Sequence, residues 1–184
     1  CTRYAIARRS VFSILDDDGN GTVNADDEVS LNIRFGFGKF QGSTYTKVRD
    51  IKSKYSAIYC GSSTSCTINQ SASGSNNISY WTTDSNVVGA TPLATALTNV
   101  KAYLDTHKLA DPYANCRQKF VILISDGADT MACNGDGTEV QTDMYKRRRD
   151  SVMATKALAD AGYKVFVIGM GSTMPDRLKY TLNW

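Results

Sequence analysis

Histidine is nearly absent from this chain: His107 is the only one in 184 residues. A histidine general base and a histidine-rich metal site are therefore not expected. A surplus of one charge is also missing. Twenty-one basic side chains stand against 18 acidic ones, a net charge of +3 with the histidine neutral. The basic groups are dispersed apart from Lys146–Arg149, which reads as a solvated helix face rather than a polyanion site. A protein living on phosphate neutralisation would be far more basic, so nucleic acid is not an expected partner. No run approaches the ~20 consecutive apolar residues that span a bilayer, so no membrane span is expected. At 42% hydrophobic residues the chain can build a core, and extended disorder is expected only locally. It opens on Cys1, not on a methionine or a leader, and enters an amphipathic pattern at once. That start reads as a fragment or a processed product, in preference to a lipid-anchored cysteine, which a polar tether would follow.

What is present is an alternation of helical and strand patterns. Tyr4, Ala7, Val11, Ile14 and Leu15 share one helical face, and an acidic, glycine-bearing loop, Asp16 to Glu28, follows. Leu31, Ile33, Phe35 and Phe37 alternate with polar or small residues, as in a half-buried strand. Tyr45 to Tyr59 is polar and either helical or extended. About 60–80 is a Ser/Asn-rich surface insertion, opened by Cys60 and Cys66. Thr91 reads as the N-cap and Pro92 as the first-turn residue of a helix carrying Leu93, Leu97, Val100 and Leu104. Phe120 to Ile124 and Val165 to Ile168 are uniformly apolar, the signature of strands buried on both faces. Between them a helix of about Tyr145 to Ala161 turns Val152, Thr155, Leu158 and Ala159 inward and stops at Gly162, and Met174-Pro175 opens another. This grammar predicts an α/β fold with a mostly parallel, Rossmann-like sheet flanked by helices. Ligands of such sheets lie beyond the carboxyl ends of the strands, just after Ile124 and Ile168.

The strongest local motif is Asp16 to Asp27. It fits a twelve-position calcium loop: oxygen donors at positions 1, 3 and 5, glycine at 6, a backbone carbonyl at 7 and a carboxylate at 12. The expected ligands are Asp16, Asp18, Asn20, the Thr22 carbonyl, Asn24 and Asp27, with Val23 packed inward. A hard cation takes six to eight oxygens, and Gly21 at position 6 permits the sharp turn that converges them. Asp27 at position 12, with the run Gly21-Thr22-Val23-Asn24, resembles dockerin-type loops. The bland alternative is an acidic turn that caps the preceding helix.

A second constellation, Gly89-Ala90-Thr91-Pro92-Leu93 with Ile124-Ser125-Asp126-Gly127, resembles two of the three metal-site loops of a von Willebrand factor type A domain. The resemblance implies that the Thr91 hydroxyl coordinates an ion directly and Asp126 through water. The bland alternatives are an N-cap and a turn aspartate. The Asp-x-Ser-x-Ser loop that would complete the site is not in this sequence, so the fold is expected to lack its first, central strand. The runs Arg8 to Asp17, Phe120 to Thr130, Tyr145 to Arg149 and Leu182 to Trp184 are similar to the PilY-type tip adhesins of bacterial type IV pili. That likeness implies a partial von Willebrand A-like domain over 1–184, on the bacterial cell surface at a pilus tip. It implies adhesion or assembly rather than catalysis, with Ca2+ in loop 16–27 and Mg2+ at the adhesion-type site. Pilus minor subunits or a surface ligand would be the partners, and the missing strand would come from upstream sequence or another chain. The rival readings are a calcium-locked scaffold with no ligand, and a hydrolase using Asp126, for which no neighbouring base is evident.

Five cysteines suit an oxidising compartment. Cys60 and Cys66 are expected to pair, with Cys1–Cys133 as a second bridge at the top of the sheet. Cys116, at the opposite end of its strand, is left unpaired or linked to Cys60 or Cys66. His107, near the end of a helix, complements the helix dipole and needs no further role.

Overall fold

The computed structural model describes residues 3–41, 44–55, 60, 65–67, 91–126 and 144–170. Cys1, Cys133, most of the Ser/Asn-rich insertion, Gly127 and the helix expected from Met174 lie outside these. Among the described residues the chain is mixed α/β, with four helices and three two-stranded sheets. In chain order the elements are α1 (Arg3–Leu15), β1 (Thr22–Val23), α2 (Ala25–Leu31), β2 (Phe35–Gln41), β3 (Thr44–Lys52), β4 (Cys66–Thr67), α3 (Leu93–Ala110), β5 (Phe120–Ser125), α4 (Met144–Asp160) and β6 (Lys164–Gly169). No helix among the described residues is long and apolar enough to cross a membrane. The chain divides into two compact units, Cys1–Lys39 with Thr46–Val88, and Phe40–Tyr45 with Gly89–Trp184.

The first unit is built on a cluster of Phe12, Leu15, Val23, Tyr55, Cys60 and Cys66, against which Val11, Leu31, Phe35 and Phe37 pack. The buried stripe of α1 runs through Ala7, Phe12 and Leu15. Ile14, expected on that face, is 54% exposed. Phe12 lies inward instead, three residues before Leu15 and so on the same helical face. The expected strand begins later than its alternation suggested. Leu31 ends α2, and Asn32 caps that helix in the left-handed conformation (φ 48°), its N–H bonded to the Glu28 carbonyl. Only Phe35 and Phe37 of the expected set lie in β2.

β2 pairs with β3, so the segment after Tyr45 is extended. Gly36 is required there by a close approach: a Cβ on it would stand 2.7 Å from Cγ1 of Ile51 and 3.2 Å from the Ile51 amide nitrogen. β1 and β4 pair antiparallel, Thr22 opposite Thr67 and Val23 opposite Cys66. Cys66 is bonded to Cys60, as the sequence led us to expect, and Cys116 carries a free, exposed thiol.

In the second unit β5 and β6 run parallel, in register from Phe120 opposite Lys164 to Ser125 opposite Gly169, and α4 connects them. α3 packs on α4, and α4 on β6. Leu97 and Leu104 of α3 and Leu158 of α4 are buried, as the helical spacing implied, whereas Val152 and Ala159 are exposed. α4 ends in a Schellman motif: Gly162 has φ +86°, its N–H meets the Ala159 carbonyl at 2.9 Å, and Tyr163 N–H meets that of Leu158 at 3.0 Å. Two expectations need correction. Thr91 is not the N-cap: Pro92 holds that position, with no side-chain cap bond, since its ring offers no acceptor. Nor are the apolar strands buried on both faces. Phe120 (52%), Ile122 (56%) and Phe166 (52%) are exposed, with Phe120 and Phe166 stacked at 6.1 Å. The apolar runs fixed strand type but not how many layers would cover it.

A buried phenol links α3 to the start of β6. Tyr163 Oη donates to Asp105 at 2.7 Å, and Lys101 Nζ reaches the same carboxylate at 2.7 Å. The hydrogen bonds from Lys101, and next from Tyr163, hold the Asp105 carboxyl below its ordinary range.

Three stability predictions follow from these contacts. Leu158→Ala should lower unfolding free energy by about 3 kcal/mol, because it leaves a cavity under α3. Gly36→Ala should cost about 1–3 kcal/mol through overpacking against Ile51. For Asp105, a folded pKa below the unfolded one gives stability present above the ordinary carboxylate range and lost as pH falls through the lowered value. Asp105→Asn should therefore melt below wild type at neutral pH, with the gap closing on acidification. A pH-independent gap in thermal scans would contradict the assignment.

Candidate metal centre

The centre forms where α1 stops. The Asp16 N–H closes the last turn on the Phe12 carbonyl at 2.9 Å, and the chain then doubles back through Gly19 (φ +68°) and Gly21 (φ +83°). Both glycines adopt the left-handed backbone that L side chains resist, and a Cβ on either would meet nothing within 4 Å. Their role is therefore conformational.

The turn is held by its own polar side chains. Asp16 Oδ2 accepts from Gly21 N–H at 3.0 Å. Asp18 accepts from Asn20 twice, from the backbone N–H at 3.0 Å and from Nδ2 at 2.7 Å. Asn20 Oδ1 accepts from Thr22 N–H at 2.8 Å. Asp27, expected at position 12, lies in the first turn of α2, a helix absent from the sequence reading. Asn24 is its N-cap, with Oδ1 accepting from Asp26 N–H at 2.6 Å, and Asp27 Oδ2 accepts from Asn24 N–H at 2.8 Å to close a capping box. The other oxygen, Oδ1, reaches back to Asp17 N–H at 2.8 Å and Asp18 N–H at 3.4 Å. One fully buried carboxylate thus starts the helix and closes the loop.

Asp16, Asp18 and Asp27 each bring one oxygen to a common point, all within 4.8 Å of one another. Oxygens bound at 2.3–2.6 Å on opposite sides of one ion stand about that far apart. Asp16 Oδ1 is buried and accepts no hydrogen bond among the described residues, which leaves an acceptor open to a cation. The donor set is hard oxygen, suited to Ca2+, Mg2+ or Mn2+ and not to soft metals. Of the other expected ligands, Asn20 and Thr22 lie on the same turn. Asn24 lends its oxygen to the helix cap, while its Nδ2 donates to the Thr22 carbonyl at 3.4 Å. In this arrangement Asn24 orders the loop and is not turned to an ion.

Tyr55 lies beneath the loop, and sequence reasoning missed it. It is fully buried, its Oη donates to the Leu15 carbonyl at 3.4 Å, and its ring meets Phe35 edge-on at 6.4 Å. Burial first, then the carboxylates of Asp27, Glu28 and Asp17, raise the phenol's pKa well above its ordinary value. No spacing rule connects Tyr55 to the loop, because the contact is made only by folding.

The adhesion-type residues stand in the second unit. Thr91 is half-buried just before α3, and Asp126 is exposed directly after β5, at the carboxyl end of the parallel pair. Asp126 joins no cluster of three or more His, Cys, Asp or Glu among the described residues. The neighbouring Gly89, Ala90 and Gly127 lie outside them. No protein-family model, curated protein or solved structure matches this chain.

Proposed function

We propose that the loop Asp16–Asp27 is a calcium site and that the chain is a calcium-stabilised adhesion or assembly module of von Willebrand A type at a type IV pilus tip. The observation that carries the cation is the convergence of the Asp16, Asp18 and Asp27 oxygens on a turn that already has its backbone bonds. Three converging carboxylates, of net charge about −3, favour Ca2+ over a neutral ligand. The adhesion part rests on the resemblance of the residue runs, and the mixed α/β character with a parallel pair is compatible with it. The exposed apolar residues Phe120, Ile122 and Phe166 support a protein partner, since a sheet face of this composition is more stable covered.

The rival reading is a calcium-locked scaffold without a ligand at the second metal site. It draws support from the burial of Asp27 and Val23, which makes the loop part of the core.

Calorimetric titration with Ca2+ should give one site per chain. At free Ca2+ about 100-fold above Kd the ion would add about 2.7 kcal/mol, a rise in Tm of several degrees. Asp18 is exposed, so Asp18→Asn should weaken Ca2+ binding by about tenfold or more while leaving the calcium-free Tm unchanged or slightly raised. Absence of any Ca2+ heat or Tm shift in wild type would overturn the cation reading. The adhesion reading further expects Thr91→Ala to abolish divalent-dependent binding to pilus minor subunits with Tm unchanged. Binding that persists in Thr91→Ala would leave the scaffold.

A further inference from the structure

A disulfide lies against the buried side of the loop. Val23, at position 8 between the Thr22 carbonyl and the Asn24 cap, is fully buried and lies opposite Cys66 in the β1–β4 pair. Cys66 is bonded to Cys60, and both sulfurs sit in the cluster with Phe12, Leu15, Val23 and Tyr55, Cys60 Sγ lying 3.8 Å from the Val23 carbonyl. β4 is only two residues long, too short to hold a partner by its ladder alone. Beside that pairing and the burial of Cys66, the Cys60–Cys66 bond ties β4 covalently to a second buried residue of the cluster. The same buried cluster contains Leu15, the residue before Asp16, and Tyr55, whose phenol bonds the Leu15 carbonyl. The two residues that flank the loop's first seven positions, Leu15 and Val23, are thus seated on the core that contains the disulfide.

We propose that the Cys60–Cys66 disulfide is a redox clamp on the Asp16–Asp27 loop, so that its oxidation and cation binding favour each other. The cation half of this rests on the calcium reading above; the clamp itself does not. Reduction breaks the Sγ–Sγ bond: a dithiol supplies two electrons and is oxidised to its cyclic disulfide, and two protons end on the Cys60 and Cys66 thiols. The covalent tie between β4 and Cys60 is then lost, and the pairing of Cys66 with Val23 that backs the turn is loosened. Linkage makes the effect reciprocal: the factor by which the bond tightens Ca2+ binding is the factor by which Ca2+ favours the bond.

The test uses the whole chain. Ca2+ titration should give an affinity about tenfold or more weaker for Cys60→Ser/Cys66→Ser than for oxidised wild type. Because the double variant disturbs the core, the same quantity is read in wild type without substitution. The thiol–disulfide equilibrium of the Cys60/Cys66 pair against dithiothreitol, followed by differential alkylation and mass spectrometry, should shift toward the disulfide by the same factor in Ca2+ relative to chelator. An equilibrium that ignores Ca2+ while wild type binds it would overturn the proposal. If wild type takes up no Ca2+, the calcium reading fails by itself, and amide exchange in calcium-free protein decides the clamp. The Gly21 and Asn24 amides, which donate to Asp16 and Asp27, should exchange faster after reduction, with Leu97 and Leu104 unaffected as a control. Unchanged exchange at Gly21 and Asn24 would overturn it.

Discussion

Asp27 places a carboxylate where no water reaches it, and the first unit is arranged around that fact. Burying a charged group is costly unless hydrogen bonds replace its hydration. Here three backbone N–H groups do so, from Asp17, Asp18 and Asn24. Each donor comes from a different point on the loop, so a chain that satisfies Asp27 has already closed the turn and begun α2. The helix needs this start. It is seven residues long, carries Asp26, Asp27 and Glu28 in its first turn, and exposes Val29. Its stability comes from the cap and the dipole rather than from an apolar stripe.

The turn's polar order and the core beneath it depend on each other. Leu15 and Val23 flank the loop's first seven positions and are both buried, so the loop cannot swing away without uncovering them. Tyr55 adds a polar tie by bonding the last carbonyl of α1, one that no helical N–H is left to meet. This position sets the phenol among carboxylates, and its raised pKa is the electrostatic consequence of the packing.

How far the sequence could be read follows from the range of each interaction. The loop was legible because its acidic and amide side chains, its glycines and its inward Val23 fall within twelve consecutive residues, where chemistry and spacing are one pattern. α2 was not, because Ala25-Asp26-Asp27-Glu28-Val29-Ser30-Leu31 has no helical stripe, and a capping box was hidden inside a metal-ligand pattern that uses the same residues. Phe35 and Phe37 were assigned correctly, whereas Leu31 and Ile33 continued their alternation only by coincidence, across the Asn32 cap. The disulfide was legible from its short span; its pairing of Cys66 with Val23 was not, since those residues meet only through tertiary structure. For β5 and β6, apolar composition identified the strands and overstated their burial. Periodicity reports which residues prefer cover, and neighbouring layers decide which receive it.

Two buried aspartates make the case for a cation in one place and not in another. Asp111 ends α3 and organises the turn into β5, accepting from the Tyr113 N–H at 3.1 Å. Its charge is met by the chain itself, through Arg117 Nη1 at 2.6 Å and Lys119 Nζ at 3.9 Å. Two cationic side chains of the chain thus already stand at that carboxylate. Asp27, with Asp16 and Asp18 beside it, receives only amide donors among the described residues: the backbone N–H groups of Asp17, Asp18, Asn20, Gly21 and Asn24, and Nδ2 of Asn20. Amides orient a carboxylate but do not neutralise it. Two unit charges about 5 Å apart repel by up to ~3 kcal/mol at an effective dielectric constant near 20, less where solvent reaches Asp18. Hydrogen bonds hold the three groups together against that repulsion, and a divalent cation at their common point would reverse its sign. The same chain thus meets one buried carboxylate with its own cations and brings three others together with amide donors alone, an arrangement that a cation from solution would stabilise.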